Sequence, residues 1–163
     1  MCIRDSSTTI QPHDHGTHVA GTISAVNHNG IGVSGIAGGS GLGDGVRLMS
    51  CQVFGPYDNG GFELAPVWAA DNGAVISQNS WGYTSAGYYE QAVLDAIDYF
   101  NQNAGSETGS PMDGGITIFA AGNSNSTGPV SYTHLRAHET VLDLVCRLLL
   151  EKKKKITYKN DRY

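Results

Sequence analysis

Basic residues are almost absent from most of this chain. Between residues 7 and 129 the only one is Arg47, set against ten acids: Asp14, Asp44, Asp58, Glu63, Asp71, Glu90, Asp95, Asp98, Glu107 and Asp113. Such a balance argues against nucleic acid or an anionic membrane as a partner, since both are gripped through cationic side chains. The formal charge of the 163-residue chain is only −5 because its ends are basic, the lysine run 152–155 above all. No apolar run is long enough to span a bilayer, and no obvious signal peptide opens the chain. Cysteine is scarce as well. Cys2, Cys51 and Cys146 give neither a disulfide framework nor a zinc spacing. Glycine is abundant, with 22 residues, which points to tight turns and close backbone approaches. The 40% apolar and 15% charged composition fits one soluble globular domain.

The ends differ from the middle in more than charge. "MCIRDS" can be written in codons as atg tgt ata aga gac ag. Its reverse complement, ct gtc tct tat aca cat, reads V-S-Y-T-H, which is Val130–His134. One DNA element in two orientations can thus encode both flanks. The string resembles the end of a transposase-type sequencing adapter, whose continuation gives Leu135–Thr140 and, after a short index, "LVCRLLLE" and a poly-A lysine tract. The expected organisation is therefore an adapter-derived scar over 1–6, authentic sequence over 7–129, and an adapter-derived tail with an unassigned end over 130–163. The other reading of the tail is a basic C-terminal helix, because Leu142, Val145, Leu148 and Leu149 fall at helical spacing. On the adapter reading, Cys51 is the one cysteine left.

Residues 7–129 alternate between helical and strand patterns. "HGTHVAGTISAV" places Val19, Ala20, Ile23 and Val26 on one helical face, ended by "NHNGIG". Gly21 within it costs about 1 kcal/mol relative to alanine, which a closely packed backbone would justify. "VRLMSCQV" (46–53) suits a buried strand, and "FELAPVWAADNG" a helix with Pro66 in its first turn. "AVISQNS" is a second strand. "YYEQAVLDAIDYFNQN" is the clearest helix, with Tyr89, Ala92, Val93, Ala96, Ile97 and Phe100 in one stripe. "GITIFAA" is the third strand. Three buried strands separated by helices predict α/β architecture, a partial doubly wound parallel sheet covered on both faces. Ligands of such sheets sit beyond the carboxyl ends of the strands, here "NSWG" (79–82) and "GNSNS" (122–126).

"HDHGTHVAG" gathers His13, Asp14, His15 and His18 within six positions. Two chemistries compete for it. These side chains could nominally ligate a metal, as in a His/Asp metallohydrolase, although no further ligand with recognisable spacing follows. Alternatively one histidine is a general base, which needs a nucleophile at one ring nitrogen and a carboxylate at the other. A polar helix start with neither role is the bland reading.

"HGTHVAGTI" resembles the histidine motif of the subtilisin-like serine proteases (peptidase S8), "AAGNSN" their oxyanion-asparagine motif, and "NSWG" their substrate-binding strand. The resemblance covers nearly all of residues 10–129. It implies a hydrolase of peptide bonds, acting on peptide or protein substrates without a cofactor for its chemistry, and secreted in its complete form. By that resemblance His15 is the catalytic base, and His18 a second histidine that packs in the helix. Asn123 donates to the oxyanion. Ser80, Trp81 and Gly82 line the substrate strand, where main-chain pairing with an extended peptide favours a glycine. Trp81 reads equally well as a core aromatic. Phe62 falls near the position flanking a more distant pocket. "NHNGIGV" resembles a calcium loop, making Asn29 a side-chain ligand and Asn27, Ile31 and Val33 carbonyl donors. An ordinary Gly/Asn turn explains the same residues.

Two parts of that family's machinery have no counterpart here. Its catalytic aspartate lies on a strand well before the histidine motif, and Asp14, adjacent to His15, cannot take that place. Its nucleophile motif, close to G-T-S-M-A, appears nowhere. The expectation is an internal fragment of a serine endopeptidase that is inactive as written. A non-catalytic peptide-binding pseudoprotease domain is the alternative.

Overall fold

The computed structural model describes residues 13–54, 61–85 and 87–123. The proposed scar and tail, with the helical spacing of 142–149, lie outside them. Five elements follow in order: α1 (Asp14–Ser24), α2 (Leu64–Asp71), β1 (Ile76–Asn79), α3 (Gln91–Asn103) and β2 (Ile116–Phe119). The strands are parallel neighbours in one sheet, with the Ile116 amide donating to the Val75 carbonyl at 3.0 Å. A parallel pair cannot be closed by a tight turn. The chain between them includes α3, forming one β-α-β unit of an incomplete doubly wound fold.

The chain divides into two compact units, the first comprising 1–80 and 91–118, the second 81–90 and 119–163. In the first, α3 supplies most of the core. Val93, Leu94, Ala96, Ile97 and Phe100 are buried along it, with Phe100 fully enclosed. Phe100 joins Ala70 of α2 and Ala104 in one cluster, flanked by Ala69 and Ala74. The stripe read from periodicity needs adjusting at three positions. Leu94 is buried, whereas Tyr89 and Ala92 are exposed. Tyr89 precedes the helix, so helical spacing does not govern where it points.

Glycine explains how tightly this core closes. A Cβ at Gly115 would lie 2.6 Å from Phe100 Cδ1 and 2.7 Å from the Phe100 carbonyl. The strand can therefore enter beside the phenylalanine only without a side chain. The expected close approach at Gly21 is not found, since a Cβ there would meet nothing within 4 Å. The tight contact lies further on, where a Cβ at Gly38 would overlap the Ala25 carbonyl.

Two further expectations are corrected. Residues 46–53 do not form a strand. Isolated bridges occur at Cys51 and Phe54, and Val46 and Leu48 are exposed. Extended backbone becomes a strand only through a neighbour's amides and carbonyls, and this segment has no continuous ladder among the described residues. The two strands that do form are half covered, with Ile76 53% and Ile118 47% exposed, not buried on both faces. Helical cover is the usual reason that parallel strands are buried, and these two side chains have little of it.

The segment after α1 is held by backbone bonds. Gly35 and Ile36 amides donate to Ala25 and Thr22 carbonyls, Ala37 to Ile23, Asn27 to Gly39, and Val46 to Ala37. Asp44 closes the loop by accepting from the Ser40 amide at 2.8 Å and its hydroxyl at 3.1 Å. The Ser40 amide, more than the hydroxyl, holds the Asp44 carboxyl below its ordinary value. Ile31, Val33, Ile36 and Leu42 remain exposed along this stretch. No helix among the described residues is long and apolar enough to cross a membrane.

Candidate active site

The site begins at the start of α1. His13, at φ −139° and ψ 133°, is the extended residue before the helix, and its Nδ1 accepts from the His15 amide at 3.2 Å. Asp14 in the first turn puts negative charge where the helix dipole favours it. The helix stops at Ser24 because Ala25 turns extended, at φ −59° and ψ 130°. Thr22 and Ser24 hydroxyls bond back to the His18 and Ala20 carbonyls. No residue of α1 is fully buried. His18, expected to pack within the helix, is exposed instead, with Val19 and Ala20 beside it taking the half-buried positions.

His15 points away from its own helix and reaches the end of β1. Its Nε2 lies 3.1 Å from the Ser80 carbonyl oxygen. The end of β1 is itself fixed. Asn79 Nδ2 donates to Ser77 Oγ at 3.0 Å, to the Ser77 carbonyl at 3.2 Å and to the Ile118 carbonyl of β2 at 3.4 Å. Gln78 Nε2 donates to Ser80 Oγ at 2.7 Å. The histidine motif and the first residue of the expected substrate strand are thus brought together within the first unit.

The remaining site residues fall in separate places. Phe62 is half-buried ahead of α2 and stacks edge-to-face on Phe54, with ring centroids 5.2 Å apart. Trp81 lies in the second unit, packed edge-to-face on Tyr83 at 6.0 Å and Phe119 at 5.6 Å. The ring is half-buried there. Gly82 is exposed, and a Cβ there would meet nothing within 4 Å. Asn123, also in the second unit, is exposed just beyond β2 and follows Gly122 at φ 88°.

The proposed calcium loop forms a left-handed turn. His28, Gly30 and Gly32 have φ of 59°, 72° and 58°. The Asn29 side-chain oxygen accepts from the Ile31 amide at 3.0 Å. Asn27 Oδ1 is buried with no partner among the described residues, and it faces Gly38, where a Cβ would come within 3.1 Å of it. Asn27, Asn29, Ile31 and Val33 offer only uncharged oxygens. Among the described residues no three His, Cys, Asp or Glu side chains come together to hold a metal. Calcium is held mainly by carboxylates, so these four residues alone do not fit a complete site. The same finding counts against the metallohydrolase reading, because His13, Asp14, His15 and His18 do not converge.

The chain belongs to the subtilase family, peptidase S8, whose model matches residues 4–138. It is 31% identical to subtilisin Savinase of Lederbergia lenta over 129 residues, covering 77% of this chain and 40% of that protein. Alkaline elastase YaB of a Bacillus strain is 37% identical over 123 residues, covering 72% of this chain and 26% of its own length. Fervidolysin of Fervidobacterium pennivorans is 30% identical over 127 residues, covering 72% and 15%. The chain thus spans well under half the length of each. No solved structure matches at comparable significance.

Sequence reasoning missed two contacts. Histidine is not among the preferred helix caps, so nothing in "HDHG" marks His13 as one. The Ser80 contact uses a backbone carbonyl, which every residue carries and no motif reveals.

Proposed function

We propose that this chain is an internal piece of a secreted serine endopeptidase in which His15 is the general base. The observation that carries the reading is the His15–Ser80 contact, which sets the base at the strand end where a peptide substrate would pair. In the complete enzyme a serine hydroxyl attacks the scissile carbonyl, and His15 takes its proton and later delivers it to the leaving amine. A carboxylate on the other ring nitrogen holds the imidazole and stabilises its charged form. Asn123 donates its side-chain amide to the oxyanion. A donor of this kind is worth about 2.7–4 kcal/mol, a magnitude measured on a subtilisin. Ser80, Trp81 and Gly82 pair with the substrate backbone, and Phe62 contributes to a remoter pocket. A structural calcium would use Asn27, Asn29, Ile31 and Val33 with a carboxylate from elsewhere.

The nucleophile and the orienting acid are not in the sequence, so the chain as written does not turn over peptides. Residues 1–6 and 130–163 derive from adapter DNA on this reading. Amplifying the locus from source DNA tests it. The expected product continues from 7–129 into an aspartate-bearing strand upstream and a G-T-S motif downstream. An intact genomic copy encoding Val130–Lys155 would overturn the fragment reading, and a parent lacking G-T-S would make it a peptide-binding pseudoprotease.

A further inference from the structure

Three Asn–Gly pairs occur in the chain: Asn29–Gly30, Asn59–Gly60 and Asn72–Gly73. Such a pair can react with itself, because glycine has no Cβ to shield its amide nitrogen from the preceding side chain. Asn59–Gly60 lies outside the described residues. The other two pairs are both exposed, so access to water does not separate them. Their hydrogen bonds do. At the end of α2 the Gly73 amide donates to the Ala70 carbonyl at 3.3 Å, and Asn72 Nδ2 to the Trp68 carbonyl at 2.8 Å. A Cβ at Gly73 would also lie 3.4 Å from Glu107 Oε2, which puts negative charge beside an amide that must lose its proton to react. After α1 the Gly30 amide has no hydrogen-bond partner among the described residues, and a Cβ there would meet nothing within 4 Å. The Ile31 amide donates to Asn29 Oδ1 at 3.0 Å, which folds the side-chain carbonyl back over the Gly30 peptide. That donor also sits where negative charge develops when the carbonyl is attacked.

We propose that Asn29–Gly30 is a site of spontaneous deamidation in the folded chain, and that the fold protects Asn72–Gly73 from the same reaction. The Gly30 nitrogen gives its proton to water and bonds to Asn29 Cγ. The Cγ–Nδ2 bond breaks, and Nδ2 takes up a proton from water and leaves as ammonia. A second water then opens the cyclic imide at either carbonyl. One opening leaves aspartate; the other leaves isoaspartate, with the main chain routed through Cβ and Cγ. A loop whose residue 29 offered a neutral amide thereby gains a carboxylate, and in the isoaspartate form its backbone is longer by one methylene. At Asn72 both hydrogen bonds must break before the same attack, which slows it by about tenfold or more.

The test needs no activity. The full 163-residue chain is incubated at mildly alkaline pH with a chelator, so that no cation engages Asn29, and sampled over time for peptide mass mapping. Conversion of an amide to an acid raises the mass of its peptide by one unit, and the isoaspartate form separates from the aspartate form on elution. Asn29→Gln identifies the first site by loss of its products. The same chain in concentrated guanidinium chloride gives the rate at each pair without the fold. The expected result is conversion at Asn29 at least about tenfold faster than at Asn72 in buffer, with the two rates converging in denaturant. Comparable rates at the two pairs in buffer, or a faster Asn72, overturn the proposal. So does the same ratio in denaturant as in buffer, because the neighbouring residues would then set the difference without the fold.

Discussion

His15 and Ser80 meet across 65 residues of chain, ring nitrogen to carbonyl oxygen at 3.1 Å. The contact joins the first turn of a helix to the end of a strand, so whatever frays the helix start also moves the candidate base.

His13 is the residue that prevents fraying. Its Nδ1 satisfies the His15 amide, one of the donors that a helix start leaves unpaired. His13→Ala is expected to destabilise α1 by about 0.5–1 kcal/mol, the lower part of the range for cap removal, because the bond is exposed. His13→Asp is expected to restore it, since aspartate caps well and suits the helix dipole. Amide exchange at His15 and Gly16 measures both. Unchanged exchange in the alanine variant would mean that the cap contributes nothing.

Phe100 carries the core. Phe100→Ala is expected to cost about 3–5 kcal/mol, as truncation of a fully buried aromatic does. Gly115→Ala should cost at least about 1–3 kcal/mol through overpacking, because the new methyl meets both the ring and the backbone of Phe100. Ile36→Ser and Leu42→Ser, at sites 90% and 91% exposed, should stay within about 0.5 kcal/mol of the parent. Urea denaturation ranks the four. A large loss at Leu42 would show that the exposed segment is covered in solution.

A link between α2 and α3 predicts a pH response. The Tyr99 hydroxyl donates to Asp71 Oδ1 at 2.7 Å, and this bond raises the phenol above its ordinary value. A raised folded-state value means that the folded chain holds the proton more firmly. The contribution is therefore fully present below the unfolded value near 10 and is lost as pH rises through the folded one. Spectrophotometric titration of the phenols should show one late tyrosine, which Asp71→Asn returns towards the others. No late component in the parent would contradict the bond.

How far the sequence foretold this structure differs between elements. All three helices were legible, α1 and α3 through apolar spacing at 3.6 residues, which is a local property; α1 stops before Val26, which is exposed, and α3 departs from its expected stripe at Tyr89, Ala92 and Leu94. The strand over 46–53 was not, since "VRLMSCQV" shows apolar character but not the neighbour that a ladder requires. Gly21 misled for a related reason. A glycine in a helix advertises a close approach without saying where, and here the crowding is at Gly38 and Gly115. At the site, the motif singled out His15, whose ring the structure sets against Ser80. The His13 cap and the Ser80 carbonyl were not legible, because they depend on ring orientation and main-chain geometry.

The most direct test of the central claim is peptide hydrolysis by the complete gene product, compared with its His15→Ala variant. Residues that act as a catalytic unit fail together, and loss of the histidine in a subtilisin costs about 10⁶ in kcat. A fall of several orders of magnitude in kcat/KM is therefore expected, with the 163-residue chain itself giving no inhibitor-sensitive turnover. Activity retained in His15→Ala, or turnover by the 163-residue chain, would contradict the assignment of His15 as the base of an incomplete triad.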